Sequence, residues 1–152
     1  LFAGTLAENL RLGCPQASDE ELRRVARLTG ADAFISRLPQ GYDSPLGGSG
    51  LVLSQGQRQL LAITRTLLID PAILLLDEAT SNIDARSEAQ IQRALRTLMQ
   101  GRTCLVIAHR LHTVRQADRI AVIEQGRAVA LGTHEQLMAA GGTYARLHGE
   151  LL

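Results

Sequence analysis

The sequence predicts an α/β fold with a parallel-sheet core and an α-helical subdomain. Three observations predict it. Ala72-Ile73-Leu74-Leu75-Leu76 is an apolar run that leads straight into Asp77-Glu78. Thr103-Cys104-Leu105-Val106-Ile107-Ala108 is a second such run, ending at His109. A stretch with helical spacing separates the two. Runs this short and this uniformly apolar read as strands buried on both faces, as in a parallel sheet. Strand, helix, strand is the order of a parallel connection. A parallel core normally needs more than two such strands, so the others are expected upstream of Leu1.

Taken in order, the first third reads as helical with no convincing strand. Thr5 is a cap for a short helix reaching Leu12, with Leu6, Asn9 and Leu10 at helical spacing. Ser18 with Glu21 is a capping box, and its helix turns Leu22, Val25, Ala26 and Leu28 inward before Gly30 stops it. Ala31 to Leu38 is a shorter helix, and 39–50 holds turns and loop. Ser54 with Gln57 is a second capping box, starting a helix with Leu60, Leu61, Thr64, Leu67 and Leu68 on one stripe. Asp70-Pro71 ends that helix, because the residue before proline is pushed out of the helical region.

After the first strand, Asp84 caps a helix that buries Ile91, Ala94, Leu95 and Leu98 and closes at Gly101. Leu111 to Gln116 reads as a short helix beyond the second strand. Arg119 to Glu124 and Arg127 to Leu131 form a hairpin about Gln125-Gly126. Thr133 caps one more helix, and Gly141-Gly142 separates it from a last one near Thr143.

The 152 residues are enough for one domain with a real core. They are 45% hydrophobic, 20% charged and 3% aromatic, with a net charge of +1. That balance gives no strong pull towards nucleic acid or anionic lipid. All 16 basic residues are arginine. Cys14 and Cys104 form no framework pattern and read as two reduced thiols. No apolar stretch approaches the roughly 20 residues of a membrane span. The chain starts at Leu1, which reads as a piece of something longer.

The chemistry gathers at the strand ends. Asp77 and Glu78 are adjacent on a strand, so their side chains point to opposite sides. They cannot face each other across a substrate, and two separate jobs suit them better, one holding a metal and one acting on a water. A carboxylate is a hard oxygen ligand suited to Mg²⁺. His109 ends the next strand at the same sheet edge, where a histidine contacts a phosphate or carries a proton, or is simply a satisfied surface residue. His112, His134 and His148 read as surface residues, and no His/Cys spacing makes a zinc site. Ser54 has no G-x-S-x-G around it, which argues against a nucleophile. The amides of residues 55 to 57, at a helix N-terminus, favour a phosphate. Yet the phosphate loop G-x-x-x-x-G-K-[ST] is absent, and without lysine it has no degenerate form that keeps its lysine.

These residues resemble a family. Leu53-Ser54-Gln55-Gly56-Gln57-Arg58-Gln59 is similar to the signature motif of ATP-binding-cassette (ABC) ATPases. Ile73 to Glu78 looks like their Walker B strand with its catalytic glutamate. Ser81-Asn82-Ile83-Asp84 resembles their D-loop, and Ala108-His109-Arg110 their switch histidine. Leu1 to Leu10 resembles the segment after the Q-loop, and Gly132 to Leu137 the usual C-terminal segment. Asp77-Glu78-Ala79-Thr80-Ser81 followed by Asp84 and Ser87-Glu88 is nearest the exporter branch. Gln55 stands where glycine is commoner, and Gly48-Ser49-Gly50 where exporters show an acidic and a basic residue.

The resemblance implies part of a P-loop NTPase fold. Residues 1–66 would be the helical subdomain and 67–152 the C-terminal half of the ATP-binding core. It implies ATP and Mg²⁺ as cofactors, with Asp77 holding the metal, Glu78 as general base and His109 on the γ-phosphate. Ser54, Gln55, Gly56 and Gln57 would close over the ATP of a second nucleotide-binding domain, with Asp84 at the seam of a homo- or heterodimer. The expected partners are that second domain and a transmembrane domain, with no nucleic acid. The expected place is the cytoplasmic face of a bacterial inner membrane. The expected activity is ATP hydrolysis driving export in the full-length parent, the fragment alone being inactive. Two other readings are a degenerate regulatory cassette and a DNA-repair ATPase. Intact Asp77, Glu78 and His109 argue against the first, and the lack of coiled-coil heptads against the second.

Overall fold

The computed structural model describes residues 1–47, 51–77, 84–108 and 111–150. The chain divides into two units, Leu1–Leu75 with Thr80–Leu105, and Leu76–Ala79 with Val106–Leu152.

The first unit is a bundle of capped helices. Helix α1 (Leu6–Arg11) starts at Thr5, and α2 (Asp19–Thr29) at Ser18. In both, the cap hydroxyl accepts the amide three residues on, and a glutamate there reaches back to the cap amide. Gly30, at φ 80°, ends α2 in the left-handed region that glycine enters without cost. The predicted helix at 31–38 is only one turn long, α3 (Asp32–Ile35). Helix α4 (Gln55–Ile69) ends at Asp70, and α5 (Ala85–Met99) begins at Asp84.

The bundle closes around Leu6, Leu10, Leu22, Ile35, Leu61, Ile91 and Leu98, all essentially buried. At its centre the hydroxyls of Thr29 and Thr64 hydrogen-bond at 2.7 Å between α2 and α4. Leu28, expected to point inward, is exposed, because α2 turns its Leu22–Val25–Ala26–Thr29 stripe to the core and position 28 falls outside it. Two strands of two residues each, β1 (Gly4–Thr5) and β2 (Pro45–Leu46), pair antiparallel in a region expected to hold none. Strands this short leave no periodicity in sequence.

Strands β3 (Ile73–Asp77) and β4 (Thr103–Ile107) lie side by side as a parallel pair joined through α5. The Thr103 amide donates to Ala72 O at 3.2 Å, which sets the two strand starts abreast. Arg102 fixes the corner, donating to Leu98 O and to the Asp70 carboxylate. The expectation that both strands are buried on both faces does not hold. Leu74 is 3% exposed, whereas Ile73 and Leu75 are 67% and 76% exposed, and Leu105 and Ile107 are also open. An apolar strand run needs cover on both faces, and among the described residues cover reaches one.

The second unit holds a short helix α6 (Leu111–Arg115), then strands β5 (Ile120–Glu124) and β6 (Arg127–Gly132). Glu124 pairs with Arg127, and the two loop residues, Gln125 and Gly126, take φ of 49° and 76°. Positive φ at both is the two-residue turn that matches strand twist. Helix α7 (His134–Ala140) has a capping box at Thr133, and α8 (Thr143–Glu150) follows two glycines of positive φ. Val122, Leu137 and Tyr144 form this unit's small core. His134, expected as a plain surface residue, bonds the Tyr144 hydroxyl through Nδ1 at 2.8 Å, and the His148 ring lies 5.2 Å from its own. Cys14 and Cys104 are free thiols. Among the described residues no helix is long and apolar enough to cross a membrane.

Candidate nucleotide-binding site

The site is built first on the N-terminus of α4. Ser54 is extended, at φ −64° and ψ 163°, and its hydroxyl accepts the Gln57 amide at 3.2 Å. The Gln57 side-chain oxygen accepts the Ser54 amide at 2.9 Å. Behind this box Leu53 is buried, and Arg58 Nη1 donates to its carbonyl at 2.6 Å. The turn is thus held from the rear while Ser54 and Gln55 face solvent. Arg58 stands in the signature-like motif, but its bond to the Leu53 carbonyl is not marked by any spacing in the sequence.

The electrostatics of this helix end favour an anion. α1, α2, α5 and α7 each carry a glutamate in the first turn, as α2 does with Asp19, Glu20 and Glu21. Those carboxylates compensate the positive end of the helix dipole. α4 has no acidic residue in its first turn, and neither have the shorter α6 and α8. The positive end of α4 is therefore not compensated by an acid of its own first turn, and first-turn amides point out of a helix end.

Asp77 ends β3 with its carboxylate exposed and without a hydrogen bond or ion pair among the described residues. A free hard oxygen donor fits Mg²⁺, which keeps several waters and takes one or two carboxylates beside substrate phosphates. Among the described residues no group of three or more His, Cys, Asp or Glu forms a metal cage. Asp84 is exposed and spends one carboxylate oxygen on the amides of Ser87, at 3.0 Å, and Arg86, at 3.1 Å. The Ser87 amide is the main reason its carboxyl is held below the usual carboxylate range.

The signature-like turn and Asp84 belong to the first unit and Asp77 to the second. Glu78, Ser81, Asn82, Ile83, His109 and Arg110 lie outside the described residues, as do Gly48-Ser49-Gly50 and the His112 side chain.

The sequence profile of the ABC transporter family matches residues 3–81, a span that includes both the α4 turn and Asp77. The chain belongs to the ABC transporter family. This ABC chain is 54% identical over 147 residues to the uncharacterized ABC transporter ATP-binding protein YknV of Bacillus subtilis, covering 97% of the chain and 24% of that relative. It is 51% identical over 148 residues to the ATP-dependent lipid A-core flippase of Chromohalobacter salexigens, covering 97% and 26%. In structure it resembles a bacterial Atm1-family ABC exporter with ATP bound, at 42% identity and a TM-score of 0.83, over 99% of this chain and 26% of that one. The chain therefore spans about a quarter of the length of these relatives. The likeness establishes the partial P-loop NTPase fold expected from the motifs.

Proposed function

We propose that the chain is part of the nucleotide-binding domain of an ABC exporter, which hydrolyses ATP with Mg²⁺ to drive transport across a membrane. The observation that carries this reading is the α4 N-terminus, a rigid signature-like turn with no acid in its first turn. Relatives with exporter names support it, among them a lipid A-core flippase and a multidrug export ATP-binding/permease protein of Staphylococcus aureus.

In this reading residues 1–66 are the helical subdomain and 67–152 belong to the ATP-binding core. Ser54 offers its hydroxyl and Gln55 and Gly56 their amides to the phosphates held by a second nucleotide-binding domain, while Gln57, whose amide bonds Ser54, holds the turn. The box at Ser54 and the brace from Arg58 fix those donors beforehand, so little ordering is needed on closure. Asp77 holds Mg²⁺, which supplies charge neutralisation on the phosphates. Glu78 takes the proton of the attacking water, and His109 contacts the γ-phosphate. Asp84 sits at the seam between the two domains. The partners are that second domain and a transmembrane domain, at the cytoplasmic face of a bacterial inner membrane.

The test is ATP hydrolysis by the full-length protein that carries this chain, with and without Mg²⁺. The reading expects turnover that needs Mg²⁺ and falls at least about tenfold on Asp77→Asn, the order of loss for a missing phosphate or metal contact. Binding of ATP without turnover would instead mark a regulatory cassette.

A further inference from the structure

A groove lined by arginines lies in the same unit as the α4 turn but shares no residue with it. It has a volume of about 540 Å³ and runs between the C-terminal end of α2 and the outer face of α5. Arg27 stands on one wall, and Arg93 and Arg96, one helical turn apart, on the other. No carboxylate lines it. Among the described residues none of the three guanidinium groups has an ion pair or hydrogen bond.

Five other arginines of the chain do have partners. Arg11 pairs with Asp19, Arg102 with Asp70 and Arg146 with Glu124. Arg58 braces a carbonyl, and Arg23 lies over the Tyr42 ring at 5.5 Å. A solvated helix face would mix its charges, as the 15 acidic residues of the chain allow. Here three arginines line one concavity that holds no acid, Arg27 also bordering a neighbouring groove with Asp19, Asp32 and Asp43.

The walls are fixed. Gln90 Nε2, from α5, donates to Gly30 O, at the end of α2, at 2.9 Å. A methyl group at Gly30 would meet that same nitrogen at 2.7 Å, so the contact is close. Behind the groove the Thr29–Thr64 bond and Ile91, Ala94 and Leu98 lock the helices together. Carbonyls at a helix C-terminus would repel an anion, but Arg27 O and Gly30 O already accept hydrogen bonds.

We propose that the Arg27–Arg93–Arg96 groove binds a phosphate-bearing anion with two or more negative charges. Guanidinium forks suit phosphate oxygens, and several forks around one concavity favour a multivalent anion over chloride. The same chemistry is offered by a soluble polyphosphate and by an anionic phospholipid headgroup.

Calorimetric titration of the protein with inorganic pyrophosphate, and sedimentation with phosphatidylglycerol vesicles, separate the two sources. Three variants are compared, Arg93→Gln/Arg96→Gln, Arg27→Gln and Ser54→Asp. All three arginines are exposed on helix surfaces, so their removal leaves the core intact. Ser54→Asp blocks the α4 turn and leaves the groove. The proposal expects a binding event that survives Ser54→Asp, weakens about tenfold or more in both arginine variants, and fades as salt is raised. Pyrophosphate binding with this pattern assigns a soluble ligand, and vesicle binding alone with this pattern assigns a headgroup. Absence of both events, or affinities unchanged in both arginine variants, would overturn the site.

Discussion

Thr29 and Thr64 share a buried hydrogen bond, hydroxyl to hydroxyl at 2.7 Å, across the α2–α4 interface. Thr64 also lies 2.7 Å from Leu60 O, and Thr29 lies 3.1 Å from Ala26 O. With one proton each, the satisfied arrangement is a relay in which Thr29 donates to Thr64 and Thr64 donates to Leu60 O. Thr64→Val keeps the volume and removes both bonds, and should cost about 1 kcal/mol. Thr29→Val should cost a similar amount, and the double variant clearly less than the sum, because the lost bond is shared. Urea unfolding of the four proteins measures this, and strict additivity would contradict the relay.

The Arg102–Asp70 pair is unequal. The Arg102 side chain is 12% exposed and that of Asp70 79%. Arg102 also reaches Leu98 O at the end of α5, so it carries packing and a helix-end bond as well as charge. Asp70 sits at φ 53°, a region that asparagine tolerates. Arg102→Ala should therefore destabilise by about 1–3 kcal/mol, and Asp70→Asn by under about 1 kcal/mol. Thermal unfolding of both variants checks the order, and the reverse order would show that charge alone sets the corner.

Asp84 gives the helix cap a pH dependence. Its carboxyl is held below the ordinary value, chiefly by the Ser87 amide. A depressed group contributes stability that is present above its ordinary value and lost as pH falls through the depressed one. Melting temperature should fall in that acid window for the parent. In Asp84→Asn, which still caps, the acid fall should be smaller. Parallel acid curves for the two proteins would remove Asp84 as a source of the dependence.

Ser54 combines a helix cap with a proposed contact to nucleotide, and two substitutions separate them. Ser54→Ala removes the cap of α4 and should cost about 1 kcal/mol. Ser54→Asp keeps a cap acceptor and adds a negative charge where a phosphate is expected. Stability should hold in Ser54→Asp while ATP turnover of the full-length protein drops. Turnover near the parent's in Ser54→Asp would take the α4 turn out of the nucleotide site.

Local signals were the most legible part of the fold. The boxes at Ser18 and Ser54, the Asp84 cap and the Gln125-Gly126 hairpin all appear where their side-chain chemistry placed them. These depend on residues at most a few positions apart. The two apolar strands were legible as strands but not in their exposure, since what covers a sheet face is not written in the strand. Leu28 was misplaced because its neighbours already fill the inward stripe of α2. The His134–Tyr144 bond and the Thr29–Thr64 bond join residues 10 and 35 positions apart, and no spacing rule marks either. In the candidate site, the motif order revealed the family, whereas the brace of Arg58 on Leu53 needed the fold.

The central claim is that Glu78 acts as the base in an ATP-hydrolysing cassette. The most direct measurement is steady-state ATP hydrolysis by the full-length protein with Glu78→Gln, alongside its nucleotide-bound dimer fraction. The account predicts that ATP still binds, that turnover falls by about 10²-fold or more, as loss of a general base does, and that closed dimers accumulate. Turnover near the parent's would contradict it.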